Sequence, residues 1–173
     1  LDYLGELWSS WEQWFAALEE SHTSLSMLAF FRSPSPDRSW VTASGTVLDA
    51  AAISASALDI PVDPRSNLCI RAGYLALRSI ADMYDIEYDP DPKPGDTISI
   101  LREEFDAALD LLDERGIPLR QDREQAWIDY AGWRVNYDRV LLRLADLTMA
   151  PFAVWSSDRS PINLKEPNGK AQT

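Results

Sequence analysis

Glu19 and His22 stand three residues apart in the stretch LEESHTSLSMLAFFRS, residues 18–33, and His22 is the only histidine of the chain. Glu-x-x-His is the pair that carboxylate-bridged metal bundles project from a helix. Those centres use the motif twice, with further glutamates on facing helices. One histidine excludes the second copy, so His22 is expected to be a packed polar residue on a helix seam, hydrogen-bonded near Glu19 or Arg32. Near neutral pH, beside carboxylates, it is also a candidate proton sensor. Metal and cofactor are both expected to be absent. DPDPKPGD, residues 89–96, resembles the start of a calcium loop, but Lys93 takes a ligand position and Ile100 stands where the closing glutamate belongs. No G-x-S-x-G elbow and no Gly-rich phosphate loop occurs.

A second set of reactive types sits inside apolar helical stretches: Arg32, Asp49, Arg71, Asp82, Asp138 and Arg143. A buried charge costs several kcal/mol unless it is paired. Arg32 or Arg71 with Asp49 or Asp82 are the candidate pairs, either as an internal network that sets helix register or as a small-molecule pocket. Aromatic weight gathers in LWSSWEQWF, where Trp8, Trp11 and Phe15 share a helical face that Trp14 widens. That face suits a core or a subunit interface. Flanking Asp2, Glu6 and Glu12 argue against lipid contact.

The elements that must position these residues read as helical almost throughout. Trp8, Trp11, Phe15, Leu18, His22, Leu25 and Ala29 alternate spacings of three and four. This helix either runs to Phe31 or resets at SHTS, where hydroxyls compete for backbone bonds. Ser35 and Pro36 mark the next start, for a helix to about Leu58 with an Ala/Ser-rich face. Asp63 and Pro64 open a third, to about Tyr84. A Pro-rich loop leads to a fourth, from about Thr97 to Arg115, closed by Gly116. Asp122 and Gln125 begin a long last helix to Pro151, striped by Ala126, Tyr130, Trp133, Tyr137, Leu141, Leu144 and Thr148. The expected fold is all-α, a single-domain bundle of five or six helices over residues 1–155, with a flexible tail over 156–173.

Composition narrows the function classes. The 173 residues carry a formal charge of −12 and are 46% hydrophobic, with seven tryptophans. Such a chain folds as a globule and repels nucleic acid and anionic lipid. Cys69, the single cysteine, excludes an internal disulfide and reads as a small core residue. No stretch approaches the roughly 20 apolar residues of a membrane span.

WEQWFAALEESHTSLSMLAFFRS, followed by SW and TVLD, resembles the soluble segment of bacterial membrane proteins of the two-transmembrane, potassium-channel-like family. The matching residues are Trp11, Glu12, Trp14, Glu20, Ser21, His22, Ser24, Leu28, Phe31, Arg32, Ser33, Trp40 and Asp49, and the likeness covers about the first sixty residues. The resemblance implies a cytoplasmic, non-enzymatic domain for assembly or gating, following a pore module that this chain lacks. Leu1 would then lie just past the last span, in a fragment of a longer protein. Partners would be that pore module and further copies around a common axis, with no nucleic acid bound and no direct lipid contact by this segment. The family pattern assigns its Glu-Ser-His run no chemical role. Three readings compete: a helical small-molecule sensor lined by Arg32, Arg71 and Asp49; a stand-alone interaction domain; and an enzyme using Glu19 and Glu20 as acid and base.

Overall fold

The computed structural model describes residues 2–30 and 38–159, which form an all-helical bundle without a sheet. Six α-helices occur among them: α1 (Asp2–Ser24), α2 (Trp40–Ala57), α3 (Pro64–Asp82), α4 (Arg102–Glu114), α5 (Arg123–Arg134) and α6 (Asp138–Leu147), with a 3-10 turn at Ser26–Phe30. A lone antiparallel bridge joins Leu58 to Leu119. Helix α2 packs against α3, α5 and α6, while α1 lies along α3. Its run of Ala, Ser and Gly lets those neighbours approach closely, and Val41, Leu48, Ala51 and Ala52 are buried in the process.

Helix boundaries follow local hydrogen-bond chemistry. The first helix resets at SHTS, where Ser21 Oγ donates to the Leu18 carbonyl and Thr23 Oγ1 to that of Glu19. These hydroxyls compete for the carbonyls that would continue the ladder. Ser39 caps α2, accepting from the Val41 amide at 3.2 Å; Ser35, Pro36, Phe31 and Arg32 lie outside the described residues. Asp63 caps α3 and Pro64 sits in its first turn, as the spacing predicts. Gly116, at φ +75°, donates to Asp113 while Ile117 donates to Leu112, which closes α4 with a left-handed residue and satisfies two end carbonyls.

Three expectations need correction. The fourth helix starts at Arg102 rather than near Thr97, because the Ser99 amide and hydroxyl both donate to the Asp138 carboxylate, at 2.8 and 2.7 Å. That grip keeps the strip before it out of the helix, with Ile98 and Ile100 buried. The long last helix is two helices, α5 and α6, divided at Val135–Tyr137. Asn136 causes the division: its side-chain amide donates to the Gly132 and Trp133 carbonyls, and Arg78 Nε donates to its own carbonyl at 3.0 Å. Finally, the compact part does not end at residue 155. Ser156 is fully buried, and Arg159 bonds the Ser99 carbonyl and both Glu104 oxygens. The expected tail from 160 to 173 lies outside the described residues.

The N-terminal aromatic face is spent on the core. Phe15 is fully buried and Trp8 nearly so, while Trp11 and Trp14 are half-buried and packed against that core. Trp14 meets Trp11 and Phe15 edge to face, at centroid distances of 5.0 and 5.2 Å.

Candidate functional site

Asp49 is the inward charge of α2, placed on the face that meets α5 and α6. Its carboxylate accepts two bonds from Arg134 Nη1, at 2.7 and 2.8 Å, one from the Tyr137 hydroxyl at 2.9 Å and one from the Tyr130 hydroxyl at 3.2 Å. Arg134 is completely buried at the end of α5. Its Nε donates to Asp138 at 2.6 Å and its Nη2 to the Trp155 carbonyl at 2.7 Å. The Asp138 side chain opens α6, where the positive end of the helix dipole favours an anion. Two carboxylates around one guanidinium would leave a buried net charge of −1. The Ser99 donors and that dipole offset it.

Burial pushes the Asp49 carboxyl above its ordinary range, against the opposing pull of Arg134 and of the two phenols. Burial and the nearby Asp49 charge together hold the Tyr130 and Tyr137 hydroxyls well above theirs, so both remain neutral donors. Arg134 keeps its proton throughout. The cluster therefore contains two carboxylates whose oxygens are all occupied, a cation bonded on three of its nitrogens and two phenols aimed inward. Chemically it is a lock between α2, α5, α6 and the 151–159 strip rather than a set of free acids and bases.

The partners differ from those anticipated. Neither Asp49 nor Asp82 pairs with Arg71; Arg71 and Asp82 are solvent-exposed, and Asp82 accepts from the Tyr88 hydroxyl at 3.0 Å. Arg32 lies outside the described residues. Arg134 went unselected, although it stands four residues before Asp138 and four after Tyr130. That spacing puts a base, an acid and a phenol on one helical side, and it was the available signal.

His22 is buried at 8% exposure, and its ring lies 4.8 Å from the Trp40 ring. Nδ1 is 3.0 Å from both the Leu18 carbonyl and Ser21 Oγ, and a carbonyl can only accept, so Nδ1 carries the hydrogen. Nε2 is buried without a partner among the described residues. Glu19 is not its partner: that carboxylate accepts from Ser79 on α3 at 2.6 Å. Glu20 is exposed. No cluster of three or more His, Cys, Asp or Glu side chains among the described residues is arranged to hold a metal ion. Cys69 is buried, and desolvation, with Glu12 adding to it, pushes its thiol up to about 12. No helix among the described residues is long and apolar enough to cross a membrane.

Burial lowers the His22 pKa below its ordinary 6.5, with the Leu18 carbonyl pulling the other way. The unfolded chain thus binds the proton more readily than the folded one. The contribution is fully present above pH 6.5 and is lost as pH falls toward the lowered value. Urea unfolding at pH 7.5 and 5.5 is expected to show a loss of stability on acidification that is smaller in His22→Asn. An identical loss in both proteins refutes the assignment.

No protein-family model matches this chain, and neither does any curated protein or solved structure.

Proposed function

We propose that this chain is the cytoplasmic, non-enzymatic regulatory or assembly domain of a bacterial potassium-channel-like membrane protein. One observation carries the reading: residues of the resemblance that lie far apart in sequence converge on structural joints. Trp40 packs at a tilt against His22 and donates its indole N–H to the Ala29 carbonyl at 3.2 Å, which fastens the start of α2 to the end of α1 and to the 3-10 turn that follows it. Asp49, nine residues on, is the centre of the buried lock. A likeness held by joint-forming residues is a likeness of folded framework. The non-enzymatic role is supported by the engagement of Asp49 and Glu19 with fixed partners inside the fold. In the full-length protein the domain would sit at the cytoplasmic face of the inner membrane, beside its own pore module. Copies would be held at high local concentration by the pore's symmetry.

The test is the reading frame upstream of the Leu1 codon in the source gene. Two apolar segments of about 20 residues each, bracketing a glycine-containing filter loop, are the expected result. A start codon directly before Leu1, with no such segments, overturns the proposal.

A further inference from the structure

A groove of about 660 Å³ opens between the first turns of α1, the end of α2, the start of α3 and the outer side of α5. That volume lies within the range of small-ligand pockets. It stands apart from the Asp49 lock, and none of the residues anticipated from the sequence as ligand contacts lines it. Its accessible aromatic wall is Trp133 of α5, while Trp8 of α1, almost wholly buried, closes the floor. Pro61, Pro64 and Pro94 stiffen the rim, since a fixed φ leaves little backbone freedom to lose on binding.

Two features define what fits. The first is charge. Asp63 pairs with Arg65 at 2.8 Å, and Arg120 lies 3.9 Å from Asp129 while donating to the Ser56 and Leu58 carbonyls. Acid and base therefore balance in this groove, within a protein whose formal charge is −12. An anion would meet repulsion from the whole molecule, and a cation would find both groove carboxylates engaged. The occupant that costs least is uncharged. The second feature is unused hydrogen-bonding capacity: the Ser54 hydroxyl, the Asn67 amide and the Trp133 indole N–H line the groove without a bond to any other described residue. Together they offer donors and acceptors beside an aromatic surface.

We infer that this groove binds an uncharged planar ring compound carrying amide-type donors and acceptors, the chemistry of a nucleoside. Stacking of such a ring on an aromatic side chain contributes about 1–3 kcal/mol, and the neutral polar groups select by hydrogen bonding. The inference does not depend on the membrane-protein reading.

Saturation-transfer NMR of the purified chain with adenosine, guanosine, cytidine and uridine, each against its 5′-monophosphate, tests it. At least one nucleoside is expected to saturate at or below about 1 mM, with its monophosphate about tenfold weaker. Asn67→Ala should weaken binding about three- to tenfold, the worth of a neutral hydrogen bond. Alanine is the better helix former at that position, so the loss would not reflect unfolding. Trp133→Phe, which keeps a ring but removes the indole N–H, should weaken it as well. Failure of all four nucleosides to saturate overturns the inference. So does tighter binding of the monophosphates, or unchanged binding in both variants.

Discussion

Replacing Arg134 with leucine is expected to destabilise the protein by about 3–5 kcal/mol, the cost of stripping the partner from a buried charge. For a domain of this size that corresponds to a fall in melting temperature of roughly 6–20 °C. Two buried carboxylates, Asp49 and Asp138, would lose their common cation at once, and Asp49 would keep only phenol donors. Asp138 would fare better, because the Ser99 amide and hydroxyl remain. The double variant Arg134→Leu/Asp49→Leu should therefore lose less than the sum of its single changes. Arg71→Leu provides the contrast: its side chain is exposed, and the change should stay within about 0.5 kcal/mol. Denaturant unfolding of the parent, the two single variants, the double variant and Arg71→Leu decides the matter. An Arg134→Leu protein within about 1 kcal/mol of the parent would mean that water reaches the cluster and screens it.

A loss of similar size is expected at the crossing of α1 and α3. Phe15 is fully buried, and the position that a Cβ would occupy at Gly73 lies only 2.9 Å from its ring and 2.6 Å from Leu48 Cδ2. Phe15→Ala empties the volume on one side of this contact and should cost about 3–5 kcal/mol. Gly73→Ala crowds it from the other side and should cost about 1–3 kcal/mol, since neither the ring nor the leucine can retreat within a packed core. The two changes share one space, so their effects should not add. In the Phe15→Ala background the ring-side clash is gone and Leu48 Cδ2 can give way into the cavity, so Gly73→Ala should cost clearly less than in the parent. Equal costs of Gly73→Ala in the two backgrounds would show that the glycine is required for some reason other than this contact.

Much of the architecture was legible because helix periodicity and end chemistry are local properties. Asp63–Pro64, Asp122 and Gly116 each act within one turn, and each marks the boundary it predicts. Boundaries set from a distance were not legible. Asn136 breaks the last helix with help from Arg78 of α3, and Ser99 is held out of the fourth helix by Asp138, 39 residues away. The same limit applies to the buried charges. That Asp49 faces inward follows from the apolar run around it, but which cation it meets depends on how α2 and α5 cross. Arg71 falls on the outer side of α3 for reasons that only the packed bundle supplies. The groove was invisible altogether, since its lining comes from four helices and four connecting segments, none of them unusual alone.

The distance between Asp49 and Arg134 along the chain, 85 residues, also bears on biogenesis. A ribosome adding about 5–20 residues per second exposes α2 some 4–17 s before it delivers the arginine. Throughout that interval the Asp49 carboxylate has no cation to take into the interior, and water is its best environment. The nascent N-terminal helices can pair α1 with α3, but the inward face of α2 must stay wet until the C-terminal third arrives. Assembly is thereby deferred until α5 has emerged. A chain truncated before Arg134 carries in Asp49 its own barrier to premature closure.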